Sequence, residues 1–469
     1  MVLFRSLNLS AANQRISRAR SNNLASPVAA LRRTFLMAIA GVCMVFCITP
    51  LYGSEPDAYA TANELGLMKG FPPPKHGRVD RSNAILGAPQ NRWSYQHMRR
   101  VYPSAGVRPA DASVQITREI DLAISKLAVA REDGSLADMP TFLTETFTDA
   151  LVVVQGDKIV FEHYANGMTA DQPHQMMSVT KSFAGLLALI AVEEGQMSED
   201  DLVTQWLPEL NASTAFSEGA KIGHVLDMTN SMAFTELYDD PNSDIRKYSR
   251  VLGLEEPLPG EVLPDNLYDF LMTLERDSYN HGEAFVYQTP KADAVNWITN
   301  RVTNRSFEDD LHETIWSKIG TEGETYVLLD RNGSLFAGGG LNATPNNLVR
   351  FAVMMLNDGH FNGQQVVPKS VIRKLRLGGD KKQFSNSLDA KGVFGDGHWS
   401  YRAQWWVRHT PGRESYSAIG INGQWIVIDP ERKIAIIKQS SQPEAYSSYY
   451  DDYTVNAVDA VTSYLAAGK

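Results

Sequence analysis

Cysteine is almost missing from this chain. Its 469 residues hold two, Cys43 and Cys47, and both sit in one apolar run near the start. Everything after that run is free of cysteine, so no disulfide scaffold and no cysteine-ligated zinc can hold a folded part together. Long hydrophobic runs are scarce as well. Phe35 to Ile48 is the apolar stretch near the start, and it is shorter than the roughly 20 apolar residues a membrane span needs. The histidines are scattered, with no His-x-x-x-His pair, so neither a metal nor a cofactor is expected. Basic charge is in deficit. The net charge of −10 argues against a nucleic-acid partner, because phosphates select basic surfaces. No Gly-x-Ser-x-Gly elbow occurs, which counts against an α/β-hydrolase.

What is present reads as a globular protein of one large domain or two ordinary ones, with 43% hydrophobic and 21% charged residues. Residues 1–33 carry Arg15, Arg18, Arg20, Arg32 and Arg33 and no acidic residue. The apolar run and Gly53 follow, in the layout of a secretory signal. Residues 1–53 are therefore expected to be a signal peptide cut after Gly53, with an uncleaved anchor as the alternative. Arg32-Arg33-Thr34-Phe35-Leu36 also resembles a twin-arginine signal, without the usual Lys that follows. Either route implies export, to the periplasm, and membrane contact only if the segment stays uncleaved. Residues 54–110 are rich in Pro and Gly and read as an extended arm, anchored by burial of Trp93 and Tyr95.

The rest of the chain is arranged around Met176-Met177-Ser178-Val179-Thr180-Lys181-Ser182-Phe183. Phe183, Leu186, Leu187 and Ile190 continue at helical spacing. Side chains three apart on a helix share one face, about 5–6 Å apart. If Ser178 opens this helix, its hydroxyl and the Lys181 ammonium point at the same spot. A serine is a poor nucleophile until a neighbour takes its proton and stabilises its charge. A capping Ser with an ordinary Lys would give the same four letters, so the partners decide.

Ahead of this stretch, Ile116, Ile120, Ile124 and Leu127 recur at helical spacing and predict a helix over 112–131. Ala150 to Gln155 and Lys158 to Tyr164, joined by Gly156-Asp157, predict a hairpin. The Ser178 helix should end near Gly195. Ile222 to Met228 reads as a short helix, and 238–241 and 252–266 as loops. Thr344 and Pro345 announce a helix with a buried stripe of Leu348, Phe351, Met354 and Met355. Ser415 to Asn422, Trp425 to Asp429 and Ile434 to Gln439 read as strands, and a last helix covers about 455–467. Strands at both ends and helices between them give an α+β class: an antiparallel sheet made from both termini, with an inserted helical part. Residues 111–469 form that domain.

These stretches together resemble the serine β-lactamase and penicillin-binding-protein superfamily, whose first signature is Ser-x-x-Lys. The class C-like branch, and within it the 6-aminohexanoate-dimer hydrolases, is most similar. The likeness rests on Ser178-Val179-Thr180-Lys181, Leu226-Asp227-Met228-Thr229, Tyr238-Asp239-Asp240-Pro241, Phe285-Val286-Tyr287, Gly338-Gly339-Gly340-Leu341-Asn342 and Gly420-Ile421-Asn422-Gly423-Gln424-Trp425. The second signature would be Tyr287-Gln288-Thr289, with Thr289 in place of Asn or Ser. The third, Lys-Thr-Gly or His-x-Gly, is matched to Gly420-Ile421-Asn422-Gly423 and lacks its charged residue.

The resemblance implies a β-lactamase-like fold and a serine hydrolase acting on a small amide or ester through an acyl-enzyme on Ser178. Lys181 and Tyr287 would assist. Tyr287 would act as a phenolate or by sharing protons with Lys181; ionising a tyrosine of pKa near 10 at neutrality requires about 4 kcal/mol from its surroundings. The backbone N–H groups of Ser178 and Ile421 would form the oxyanion hole, and Tyr238 and Asn422 would touch substrate. Trp405, Trp406 and Trp425 line the pocket or fill the core. The missing cation speaks against the alternatives, a D-alanyl carboxypeptidase or a β-lactamase. A catalytically silent binding domain of the same fold should have lost one of Ser178, Lys181 and Tyr287, and this chain keeps all three.

Overall fold

In the computed structural model, which describes residues 57–468, an eight-stranded sheet is built from two distant parts of the chain. The strands β1 (Thr117–Arg118), β2 (Thr148–Gln155) and β3 (Lys158–Tyr164) precede the helical middle. After it come β4 (Trp399–Arg402), β5 (Trp405–Arg408), β6 (Ser415–Gly420), β7 (Gln424–Asp429) and β8 (Ile434–Ser440). The spatial order is β4-β5-β6-β7-β8-β2-β3-β1. The two parts meet where β8 pairs antiparallel with β2, Ile434 opposite Gln155 and Lys438 opposite Leu151. Only β1 runs parallel to its neighbour. The expected sheet from both termini is what forms. The expected signal or anchor, residues 1–53, lies outside the described residues.

The longer helices around this sheet and the site include α1 (Val179–Glu193), α2 (Pro290–Thr303), α3 (Pro345–Leu356) and α4 (Ser448–Ala466). Strand side chains alternate between faces, and here both faces are covered. Val152, Val154, Ile426, Ile428, Ala435 and Ile437 belong to the same core as the apolar residues of α1 and α3. Leu151, Val153, Val427, Ile434 and Ile436 belong instead to a second core with Tyr453, Val458, Val461 and Leu465 of α4. That explains why β2 is an almost unbroken apolar run rather than an alternating one. The cap and stripe expected for α3 are present: Thr344 Oγ1 accepts the Asn347 N–H at 3.2 Å, and Leu348, Phe351, Met354 and Met355 are fully buried. α4 starts earlier than its apolar pattern suggests, at Ser448.

α1 is apolar all round and buried along almost its whole length, as a helix in the middle of a core must be. The turn between β4 and β5 packs directly on it. A Cβ at Gly185 would lie 2.1 Å from the Ala403 carbonyl, so only glycine allows this approach. Ser182 Oγ donates to the Gln404 carbonyl at 2.7 Å and Trp405 Nε1 donates to the Ser182 carbonyl at 2.9 Å.

The expected helix over 112–131 does not form. The segment instead gives β1, a 3-10 turn at Leu122–Lys126 and a short strand at Ala128–Ala130. Glu119 N and Asp121 N donate to the carbonyls of Ile159 and Val160, and the Asp121 carboxylate accepts the Ala123 N–H. Tertiary pairing along the open edge of β3 outweighs a helical spacing made mostly of β-branched isoleucines, which favour strands. Asp121 also offers its own backbone a turn.

The Pro-rich arm is not wholly extended. It holds a helical turn at Asn91–Ser94 and a strand, Ser104–Val107. That strand is the edge of a second sheet, followed in space by Thr325–Leu328, Leu341–Ala343 and His174–Gln175. Trp93 and Tyr95 are buried. Next to them lies a buried ionic cluster. Arg92 Nη1 donates to Asp149 Oδ1 at 2.9 Å and to Ser441 Oγ at 2.7 Å. The other Asp149 oxygen accepts from Ser441 Oγ at 2.6 Å and faces His174 Nε2 at 3.1 Å.

Candidate active site

The strand His174–Gln175 delivers the chain to Met177, a buried residue in the left-handed region with φ +46°. A non-glycine residue held there stores strain, a device common at functional sites. The next residue, Ser178, opens α1, yet its side chain caps no backbone N–H. Its hydroxyl instead accepts from Lys181 Nζ at 2.7 Å, one turn on, as the spacing requires. Lys181 is 1% exposed, and its Nζ also donates to the Gly338 carbonyl at 2.5 Å. Burial pulls the Lys181 ammonium below its ordinary pKa, against the opposing pull of the Glu236 and Asp293 carboxylates.

Tyr287 comes to the same spot. Lys181 Nζ lies 5.2 Å from its ring centroid, and Trp406 and Tyr401 frame the ring at 5.6 and 6.0 Å. Burial, and then the Glu236 charge, push its phenol well above the ordinary value; only the Ser178 hydroxyl works the other way. That direction runs against the phenolate and leaves proton sharing with Lys181 as the alternative. At rest the tyrosine is a neutral acid.

Four charged residues around the site carry no sequence signature. Glu236 accepts the Thr289 N–H at 2.8 Å, the Thr289 hydroxyl at 2.7 Å and the Tyr238 hydroxyl at 2.9 Å. Thr289, the departure from the second signature, is thus the residue that fixes Glu236. Asp293, in the first turn of α2, accepts the Gly338 N–H at 3.0 Å and a short bond from the Tyr248 hydroxyl. Burial raises its carboxyl above the usual range. Asp389 accepts the Tyr287 N–H at 3.3 Å, and burial raises it to about 6. Lys291 is buried with its Nζ donating to the carbonyls of Met228 and Val286 at 3.0 and 2.9 Å, and burial lowers it to about 7. The loops that bring Glu236 and Asp389 in have no periodicity to read. The nearest hint was the position of Glu236 two residues before Tyr238.

The end of β6 closes the other side. A Cβ at Gly420 would lie 2.5 Å from the Met176 carbonyl and 2.9 Å from Ser178 N. Gly420 is therefore the glycine of close approach, and a Lys-Thr-Gly triplet laid on this strand ends there. Its cation position falls on Ala418, two residues earlier than the match that starts at Gly420. The strand stops at Gly420, short of the expected Asn422. Neither the Ser178 N–H nor the Ile421 N–H is engaged by another group among the described residues.

Asn422 does not offer its side chain to a ligand. It is 2% exposed and sits at φ +57°. Its Oδ1 accepts the Tyr95 hydroxyl at 2.7 Å, and its Nδ2 donates to the carbonyls of Gln442 and Glu444 at 2.8 and 3.1 Å. This corrects its assignment as a substrate contact: the amide is spent on holding a turn. Tyr238 does reach the site. It helps to line a narrow cavity of about 40 Å³ beside Ser178, whose other walls include Ile85, Leu86, Tyr248, Phe336 and Ile421. Trp405 and Trp425 are buried in the two cores, and Trp406 alone of the three touches Tyr287. Among the described residues no group of three or more His, Cys, Asp or Glu is placed to hold a metal ion. No helix among them is long and apolar enough to cross a membrane.

A mainly antiparallel sheet flanked by helices, with a buried Ser-x-x-Lys pair against the end of an inner strand, is a defined class. The family described as Beta-lactamase matches residues 143–459, and the chain belongs to it, as a hydrolase of the serine β-lactamase superfamily. Within that class it is similar to the 6-aminohexanoate-dimer hydrolase of Paenarthrobacter ureafaciens, 32% identical over 357 residues that cover 76% of this chain and 87% of the relative. A solved structure from Bacillus anthracis named for 6-aminohexanoate-dimer hydrolase superimposes with a TM-score of 0.74 at 27% identity, covering 82% of this chain and 97% of that one. The octameric penicillin-binding protein homologue from Pyrococcus abyssi shares the fold, with a TM-score of 0.51 at 18% identity over 68% of this chain and 75% of that one.

Proposed function

We propose that this protein hydrolyses a small amide or ester through an acyl-enzyme on Ser178. The observation that carries the reading is the 2.7 Å contact between Lys181 Nζ and Ser178 Oγ, made where burial favours the neutral amine. A neutral Lys181 takes the serine proton as Oγ attacks the carbonyl carbon. The developing oxyanion sits between the free N–H groups of Ser178 and Ile421, an arrangement worth roughly 3–4 kcal/mol per donor. Tyr287, held as a neutral phenol, gives its proton to the leaving amine or alcohol and regains one from Lys181. A water then repeats the sequence on the acyl-enzyme.

The cavity beside Ser178 is apolar; Glu236, Asp293 and Asp389 surround the site, and the second lysine, Lys291, is engaged by the Met228 and Val286 carbonyls. Ala418 stands where the third signature would place a cation. A substrate carboxylate next to the scissile nitrogen, on the leaving-group side as in a β-lactam or a D-alanyl peptide, finds no counter-ion at that position, which favours a leaving group without one. A linear amide agrees with the relatives' names. The basic and apolar character of residues 1–53 supports an exported enzyme.

The test is intact-mass analysis after mixing with a fluorophosphonate, beside Ser178→Ala. One stoichiometric adduct on the parent and none on the variant is the expected result. A folded parent that forms no adduct would make a silent binding domain the better reading.

A further inference from the structure

The turn that carries Ile421 is held from two sides: residues 442–445 bind Asn422 along the chain that follows, and the N-terminal arm, some 327 positions earlier, adds the Tyr95 hydroxyl. The Tyr95 hydroxyl is fully buried, donates to Asn422 Oδ1 at 2.7 Å and leans on the Ile85 carbonyl at 3.1 Å. Asn422 is bound on every remaining side. Its N–H donates to the Ala445 carbonyl, and its own carbonyl accepts from Gln442 N and Gln424 Nε2. The Gln442 carbonyl that receives Asn422 Nδ2 also receives Asn91 Nδ2 from the arm at 2.7 Å.

The grip fixes a turn conformation. The φ of Asn422, +57°, is left-handed, a region that Asn enters more readily than most non-glycine residues, and its side-chain bonds select it. The Ile421 N–H belongs to the Gly420–Ile421 peptide, one residue before, so fixing Asn422 pins the C-terminal end of Ile421 and restricts how far that residue and its N–H can shift relative to Ser178. The arm also supplies Ile85, which lines the cavity beside Ser178 and whose carbonyl meets the Tyr95 hydroxyl. One phenol therefore ties the pocket wall to the turn.

We propose that Tyr95 is a positioning residue for the reaction: it clamps Asn422 and through it aims the Ile421 N–H at the oxyanion. The proposal rests on the reading of Ile421 as an oxyanion donor. It touches neither substrate nor reacting atoms.

The experiment compares the full chain with Tyr95→Phe, Asn422→Gly and the double variant on p-nitrophenyl butyrate. Active sites are counted by fluorophosphonate stoichiometry, so misfolded protein drops out of the rate. Losing a whole oxyanion donor costs about 10²–10³ in kcat, and a loosened one should cost about tenfold. Tyr95→Phe is expected to lower kcat per labelled site about tenfold with KM within twofold. Asn422→Gly, which tolerates the positive φ but gives Tyr95 nothing to hold, should show a similar loss. The double variant should be no worse than Asn422→Gly alone, because that change already breaks the Tyr95 link together with the Nδ2 bonds. A purely structural Tyr95 would lower the fraction of labelled protein and leave kcat per site unchanged, and that result overturns the proposal. If Tyr95→Phe fails to fold, parental kcat per site in Asn422→Gly overturns it alone. A parent that never labels would defeat the Ser178 reading instead, so the two failures are distinguishable.

Discussion

Replacing Gly420 with Ala is the smallest change that should disable the enzyme. The new Cβ would stand 2.5 Å from the Met176 carbonyl and 2.9 Å from Ser178 N, where ordinary contact begins at 3.4 Å. Both neighbours are backbone, so neither can swing aside as a side chain would. The end of β6 must recede from Ser178 by about 0.9 Å to clear the carbonyl, and Ile421 moves with it. An oxyanion donor works at roughly 2.7–3.1 Å; an added 0.9 Å leaves no useful hydrogen bond. The expected loss is that of one donor, roughly 3–4 kcal/mol or 10²–10³ in kcat, with about 1–3 kcal/mol of overpacking in stability. Ester hydrolysis per fluorophosphonate-labelled site reads the first, and urea unfolding reads the second. Gly420→Ala with parental kcat would refute the placement of the oxyanion against this strand.

Further expectations concern the acid–base groups. Lys181 must be neutral to act, so kcat/KM should climb with pH through an inflection below the ordinary lysine value of about 10.4, and Lys181→Met should abolish the climb together with most of the activity. Tyr287→Phe should slow amides more than p-nitrophenyl esters, whose leaving group needs no proton, while keeping the acid limb; loss of that limb would return the base role to the tyrosine. Ser178→Ala should cost only about 1 kcal/mol in urea unfolding, because the hydroxyl caps no helix N–H and the buried Lys181 Nζ that loses it keeps the Gly338 carbonyl. The folded-state pKa of Lys291 is lowered to about 7, so between there and about 10.4 the unfolded chain binds more protons and stability rises with pH. Lys291→Met should flatten that rise in pH-dependent urea titrations; an unchanged slope would place the effect elsewhere.

Where the chain speaks through local chemistry, the sequence was readable. The hairpin of β2 and β3, the cap and stripe of α3 and the three closing strands follow from turn residues and from periods of two and 3.6. The Ser178–Lys181 pair follows from one helical turn. What stayed hidden is what only tertiary contacts create. Helical spacing in Ile116, Ile120 and Ile124 lost to pairing along an open sheet edge. Glu236 and Asp389 come from aperiodic loops, and nothing local separates them from ordinary surface carboxylates. Asn422 lies in a family-like stretch, yet its burial against Tyr95 assigns it to the turn. The burial that raises the Tyr287 phenol was also hidden, because a sequence shows a neighbouring charge but not the loss of water around it.

The buried cluster of Arg92, Asp149, His174 and Ser441 has a bearing on protein engineering. Composition invites a cut near residue 110, where the Pro-rich stretch ends, and the span matched by the family starts later still, at residue 143. A chain trimmed at either point keeps Asp149 in the core and discards the guanidinium that neutralises it. Stranding one partner of a buried ion pair costs about 3–5 kcal/mol, a large part of the roughly 5–15 kcal/mol that holds a domain folded. The region recognisable by descent is thus smaller than the region that can fold, and any transplant of this active site has to carry the arm along.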